Sequence, residues 1–278
     1  MGVLPGKGAL IGDALTRHPL ARRVSFTGGT RTGKHIARIA ADKMMPVSLE
    51  LGGKSPTMVL ADADLDHAVA GVLYGIFSSS GESCIAGSRL FVASERYDEF
   101  MERLATGAAA LRVGNPADER TQMGPLISAR HRESVERYVE MGVAEGGRLR
   151  TGGVRPHGAA FDRGYFYTPT IIEGLTNDAR LCQEEVFGPV LVAMPFDSEE
   201  ALIEEAAATR WPPASGHATS SAPGGSAAPC RPAPCGSTPT SSSPSPPPSA
   251  AGATAAWAAK RAAWGYSSTW SRRASTGA

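Results

Sequence analysis

Arg23-Val24-Ser25-Phe26-Thr27-Gly28-Gly29-Thr30-Arg31-Thr32-Gly33 is the stretch from which the fold is read. Arg23 to Thr27 predicts a strand, Gly28-Gly29 a sharp turn, and Arg31 to Asp42 a helix. A glycine turn that opens a helix presents backbone N–H groups with no intrahelical partner, and these suit a phosphate. Every β–α turn favours glycine, so the motif is weak by itself. The segments downstream of it supply its weight.

The alternation continues along the chain. Pro46 to Leu51 predicts a second strand with Glu50 near its C-terminal end, and Pro56 to Leu60 is a third apolar run. Leu65, Val69, Val72, Leu73 and Ile76 share one stripe of a helix over 65–77. Arg89 to Ala93 reads as a strand, and Tyr97 to Leu111 as a helix with Phe100, Leu104 and Leu111 inward. Arg130 to Glu145 is a helix, Tyr165 to Ile172 and Val190 to Phe196 are strands, and Glu199 to Ala208 starts another helix. This order predicts an α/β fold with an open, mostly parallel sheet covered by helices. Ligands of such sheets bind beyond the carboxyl ends of the strands, where Gly28 and Glu50 lie.

Composition narrows the function classes. The formal net charge of +1 gives no bulk electrostatic case for nucleic acid or an anionic membrane surface. Cys84, Cys182, Cys230 and Cys235 lack disulfide or zinc-finger spacing, which points to a reducing compartment. No signal peptide and no long apolar run is present, so the expected location is the cytoplasm. His18, His35, His67, His131, His157 and His217 show no metal-ligand spacing, and surface or packing roles are expected of them, with no metal site.

Two segments carry chemistry. Glu50-Leu51-Gly52-Gly53-Lys54-Ser55-Pro56 puts a carboxylate beside a glycine turn, and Gly81-Glu82-Ser83-Cys84 puts a thiol on another, 34 residues after Glu50. A base and a nucleophile on sharply bent backbone can be approached closely by another molecule. Taken singly, a cysteine is most often a small core residue and a glutamate a solvated one. The words around them shift that balance. Phe77-Ser78-Ser79-Ser80-Gly81-Glu82-Ser83-Cys84 closely resembles the active-site cysteine motif of the NAD(P)-dependent aldehyde dehydrogenases, and Glu50 to Pro56 resembles their glutamate motif.

The resemblance implies roles. Cys84 is the nucleophile that adds to an aldehyde, forming a thiohemiacetal; hydride leaves to nicotinamide and water cleaves the resulting thioester. Glu50 is the general base. Phe26-Thr27-Gly28-Gly29-Thr30 resembles the family's Phe-Thr-Gly-Ser-Thr turn, so Gly28, Gly29 and Gly33 bind the cofactor pyrophosphate, with Gly29 lacking the serine hydroxyl. Leu51 lies beside the cofactor. Glu184-Glu185-Val186-Phe187-Gly188-Pro189-Val190 resembles the motif in which Glu185 accepts from the nicotinamide ribose and Phe187 packs beside the ring. Lys54 is expected to be structural. Glu82 stands where the family usually has Gln, and a carboxylate aimed at the sulfur would slow attack. The implied cofactor is NAD or NADP, the partner a small-molecule aldehyde, and the assembly a homo-oligomer.

The expected organisation is a remnant of the Rossmann-type NAD(P)-binding domain over 1–52, an α/β catalytic thiol domain over 53–210, and a low-complexity tail over 211–278. The tail has no Leu, Ile, Val, Met, Phe, Asp or Glu, yet holds all four Trp and 11 of the 21 prolines. Such a segment buries too little apolar area to offset its ordering entropy, so disorder is expected. It also reads as out of frame. Trp211 to Thr219 matches, one nucleotide displaced, an encoding of Leu-Ala-Ser-Gly-Ile-Trp-Thr-Arg-Asp, a usual family continuation. Pro248 to Ala262 and Arg272 to Ala278 permit displaced readings that resemble the family's glycine-rich C-terminal motif and last strand.

The resemblance covers residues 3 to about 210. In the family a large upstream segment carries the first half of the cofactor sheet and an oxyanion-hole asparagine, and neither Asn115 nor Asn177 lies in a matching context. Three readings compete: a working aldehyde dehydrogenase, a truncated and inactive piece of one whose closing C-terminal strand is scrambled, and a non-enzymatic interaction protein with a flexible arm. The displaced frame argues against the third.

Overall fold

The computed structural model describes residues 2–208 and, beyond them, the backbone of 217–218. The remainder of the 211–278 tail, with Cys230 and Cys235, lies outside the described residues, and so does its expected disorder. In chain order the elements are α1 Gly8–Arg17, β1 Val24–Gly28, α2 Thr30–Asp42, β2 Val47–Leu51, β3 Pro56–Val59, α3 Leu65–Phe77, β4 Arg89–Ala93, α4 Tyr97–Ala110, α5 Ala129–Ala144, β5 Arg148–Thr151, β6 Thr170–Glu173, α6 Arg180–Gln183, β7 Val190–Phe196, α7 Glu199–Ala207 and β8 His217–Ala218.

The strands form two sheets. β1 and β2 pair in parallel, with Thr27 opposite Glu50 and Gly28 opposite Leu51. The other sheet has the order β5-β6-β7-β4-β3-β8, parallel except for the antiparallel β5–β6 edge. β4 and β7 run through the middle, and every residue of β4 is buried. Helices cover this sheet. One apolar cluster joins Leu65, Val72 and Ile76 of α3 to Phe100 and Leu104 of α4 and to Leu90 of β4. The other joins Val135 and Val139 of α5 to Leu181, Val190 and Leu202. Asp64 and Ser128 cap α3 and α5, each accepting from the backbone N–H three residues on.

Arg89 begins β4 with no exposure at all. Burial moves its pKa down to about 10, and its donors are spent on oxygen acceptors. Nε donates to Lys54 O at 2.9 Å, Nη1 to Asn177 Oδ1 at 2.9 Å and to Glu205 O at 3.3 Å, and Nη2 to Ala206 O at 2.8 Å. Asn177 Nδ2 donates to Glu205 O and Ala208 O, and Gln183 Nε2 to Ala208 O. Helix C-termini leave carbonyls without intrahelical partners, and this trio supplies partners at the end of α7.

Five elements differ from the sequence-based expectation, the short α6 and β8 both being additions. The strand expected from Tyr165 starts only at Thr170, because Pro169 has no N–H to give a ladder and the approach to it bonds irregular segments, as in Leu126 N–H to Tyr165 O. α1 is an addition; its glycines, its absent side-chain cap and its narrow buried face, with Thr16 the one buried residue, hide it from a reading of the sequence. β5 is also an addition, being a short and largely exposed edge.

Candidate active site

Gly28 and Leu51 end β1 and β2 side by side, so both strands deliver their C-terminal ends to one edge. α2 starts there, with Gly29 at its N-cap and no capping side chain. Gly33, one turn in, allows the helix to close on β2: a Cβ there would lie 2.5 Å from Leu51 Cδ2. The Thr30 hydroxyl at this turn is buried and makes no hydrogen bond. Beside it, α1, β1 and α2 enclose a groove of about 970 Å³ lined by Gly8, Gly12, Phe26, Thr32 and Ile36, with Arg23, Arg31 and Arg38 among its polar groups.

Glu185 comes to the glycine turn after β2. Its Oε1 accepts from Gly53 N–H at 3.2 Å, and a Cβ on Gly52 would lie 1.9 Å from Oε2. Only glycine admits the carboxylate at that point. Burial raises the Glu185 pKa, opposed by the Gly53 N–H and the Lys54 ammonium. Lys54 is buried, and burial lowers its pKa to about 8, with the Cys182 thiol, Arg89 and Glu185 acting on it in that order.

The thiol turn meets the same segment from the other side. Ser79, Ser80 and Gly81 have φ of 51°, 56° and 71°, three successive left-handed residues, two of them with side chains. Such conformations persist where surrounding structure enforces them. Here a Cβ on Gly81 would meet Gly188 O at 2.2 Å, and Ser80 Oγ donates to Gly124 O at 3.0 Å. Cys84 comes next, partly exposed, whereas Cys182 is fully buried with its pKa pushed up to about 11 by desolvation. Phe187, at φ 57°, is 39 % exposed.

The structure thus sets the glycine turn that follows the Glu50 strand and the turn leading to Cys84 against one segment, Glu185–Gly188: Gly52 and Gly53 touch Glu185, and Gly81 touches Gly188. Glu82 Oε1 accepts from Ile127 N–H at 3.2 Å and lies 3.4 Å from His131 Nε2. Asn177 spends its amide on the Arg89 clamp, and Asn115 Oδ1 accepts from Ala117 N–H in an exposed turn. Among the described residues no cluster of three or more His, Cys, Asp or Glu is placed to hold a metal. Sequence reasoning misses Arg89, the groove beside α2 and the engagement of His131. Arg89 has a signal, an arginine opening an otherwise apolar strand.

This arrangement has close counterparts. The family model described as "Aldehyde dehydrogenase family" matches residues 1–222, past residue 210 where the sequence reading ends the resemblance. The chain belongs to the aldehyde dehydrogenase family. It is 47 % identical to the betaine aldehyde dehydrogenase of Bacillus subtilis (strain 168) over 72 % of its own length and 41 % of that protein. A betaine aldehyde dehydrogenase of Brucella anthropi is 42 % identical over 74 % of the chain and 42 % of that protein. Among solved structures, the NAD+ complex of a Bacillus cereus aldehyde dehydrogenase is 41 % identical with a TM-score of 0.71, covering 74 % of this chain and 41 % of that one. A betaine aldehyde dehydrogenase from Staphylococcus aureus in complex with NAD+ is 39 % identical at a TM-score of 0.72, over 73 % and 40 %. The chain spans about two fifths of these relatives' length, and over that part it has the aldehyde dehydrogenase-like α/β fold.

Proposed function

We propose that this chain carries the thiol half of an NAD(P)-dependent aldehyde dehydrogenase, dividing near residue 52 between a cofactor-binding part and a catalytic part and working in the cytoplasm as a homo-oligomer. One observation carries the reading: Glu185–Gly188 touches both the glycine turn after Glu50 and the glycine before Cys84. The residues fit a dinucleotide. The N–H groups of the Gly28–Thr30 turn and the orphaned Thr30 hydroxyl would hold the pyrophosphate, and the neighbouring groove has room for an adenosine. Glu185 would accept from ribose hydroxyls and Leu51 and Phe187 would lie beside the nicotinamide, which when bound would supply the hydride acceptor.

Cys84 attacks the aldehyde carbon to form a C–S bond, and its thiol proton passes to a base. Loss of hydride turns the thiohemiacetal into a thioester. Glu50 then takes a proton from the water that cleaves the C–S bond, and the balance is aldehyde, water and NAD(P)+ to carboxylic acid, NAD(P)H and a proton. The relatives' names make betaine aldehyde the first substrate to assay. A second reading applies to the 278-residue chain by itself: a catalytically inactive piece of such an enzyme, favoured by the β1–β2 sheet having just two strands among the described residues.

Peptide mapping after iodoacetamide treatment tests the assignment. Cys84 should label about a hundredfold faster than Cys182, whose exposure requires local opening. Cys84→Ser should abolish aldehyde-dependent NADH formation wherever the unsubstituted chain shows it. Equal labelling of the two thiols, or turnover surviving in Cys84→Ser, sinks the reading.

A further inference from the structure

His131 is in the first turn of α5, far in sequence from both site segments, yet its ring stands between them. Nε2 lies 2.6 Å from Phe187 O and 3.4 Å from Glu82 Oε1. A carbonyl oxygen only accepts, so Nε2 carries the hydrogen, and the one N–H is shared between the Phe187 carbonyl and the Glu82 carboxylate. The ring also meets Phe187 edge-on, with centroids 6.1 Å apart at 67°. Both His131 and Glu82 are mostly buried, with side chains 21 % and 18 % exposed. His131 is itself held, its backbone N–H donating to the Ser128 cap at 3.2 Å, while Ile127 N–H fixes the same Glu82 oxygen.

Each end of this bridge is a constrained piece of backbone. Phe187 has a left-handed φ of 57°, and Glu82 comes directly after the left-handed Ser79–Gly81 run, two residues before Cys84. We infer that His131 is a positioning residue that couples the Phe187 turn to the nucleophile turn, so that a ligand seated on Phe187 changes the reactivity of Cys84. Glu82 has a defined part in this. The carboxylate that stands where the family usually has Gln is directed to the Ile127 amide and the imidazole. The coupling rests on the proposed roles of Phe187 and Cys84.

The test uses the full chain and reads the iodoacetamide labelling rate of Cys84 by peptide mapping, with and without NAD. It is run on the unsubstituted chain, on His131→Leu, and on His131→Gln, whose side-chain amide can donate to Phe187 O. NAD should change the rate in the unsubstituted chain by about tenfold, the size of one hydrogen bond to a constrained turn. That response should collapse to under about twofold in His131→Leu and return in His131→Gln. Melting temperatures serve as the control for folding. No NAD response in the unsubstituted chain removes the cofactor reading of Phe187 and the coupling together. A response that persists in His131→Leu, or that both variants lose alike, overturns the coupling alone.

Discussion

β1 and β4 share one plan, a short apolar strand feeding a turn and then a helix, yet they end in different surroundings. β4 lies between β3 and β7 with all five residues buried. β1 pairs with β2 alone among the described residues, and its residues alternate between half-buried and exposed. Local sequence chooses the strand in both cases, but neighbours decide how much stability it returns. A strand paired on two edges and covered on two faces opens only with the whole core, while a two-stranded ribbon is marginal in water. In the proposed function the pyrophosphate turn belongs to the looser unit, while the thiol, Glu185 and Phe187 sit on the rim of the tighter one.

Hydrogen exchange is the strongest way to break this contrast. Amides of β4 and β7 should exchange at least about a thousandfold more slowly than those of β1 and β2, because the latter open locally. Equal protection would mean that the two sheets behave as one unit. Lys54, at the junction, gives a pH-dependent version. Its pKa is 10.5 when unfolded and about 8 when folded, so between those values the unfolded chain binds more protons and this group makes stability rise with pH. Lys54→Met should remove that rise and add up to roughly 3 kcal/mol below pH 8, read by denaturant titration across pH 7 to 10.5. Two glycines give the smallest effects. Gly52→Ala pushes the Glu185 carboxylate aside and should weaken NAD binding about tenfold with little change in melting temperature. Gly33→Ala pushes the end of Leu51 instead, and should cost about 1 kcal/mol of stability in the β1–β2 unit.

Much of the fold is legible in the residues. β7 spans Val190–Phe196 as read, and α3 spans Leu65–Phe77, because both have unbroken patterns with clear punctuation. The glycines of the site are legible too, and the structure gives each a neighbour: Leu51 for Gly33, Glu185 for Gly52, Gly188 for Gly81. Features that depend on distant chain segments or on backbone angles are not. Positive φ at Ser79, Ser80 and Phe187 leaves no mark in residue type. His131 lies 49 positions from Glu82 and 56 from Phe187 in sequence, and nothing in the residue types predicts that its ring meets both. Lys54 reads as structural, but its burial beside Glu185 and Cys182 emerges only when three segments converge.

The Arg89 clamp has a consequence for how the chain tolerates change. At the end of α7 every acceptor it uses, with those of Asn177 and Gln183, is a main-chain oxygen: Glu205, Ala206 and Ala208. The hydrogen bonds of the dock therefore recognise the path of the backbone, with the Glu205 carboxylate adding a charge that favours the Arg89 guanidinium. Mutational drift at the exposed positions 207 and 208 can be wide as long as the helix persists, while Ala206, packed in the second apolar cluster, and the three donors that hold the helix have little latitude. Such a junction is a natural seam, a place where evolution or an engineer can graft different downstream sequence without disturbing the sheet that carries the thiol.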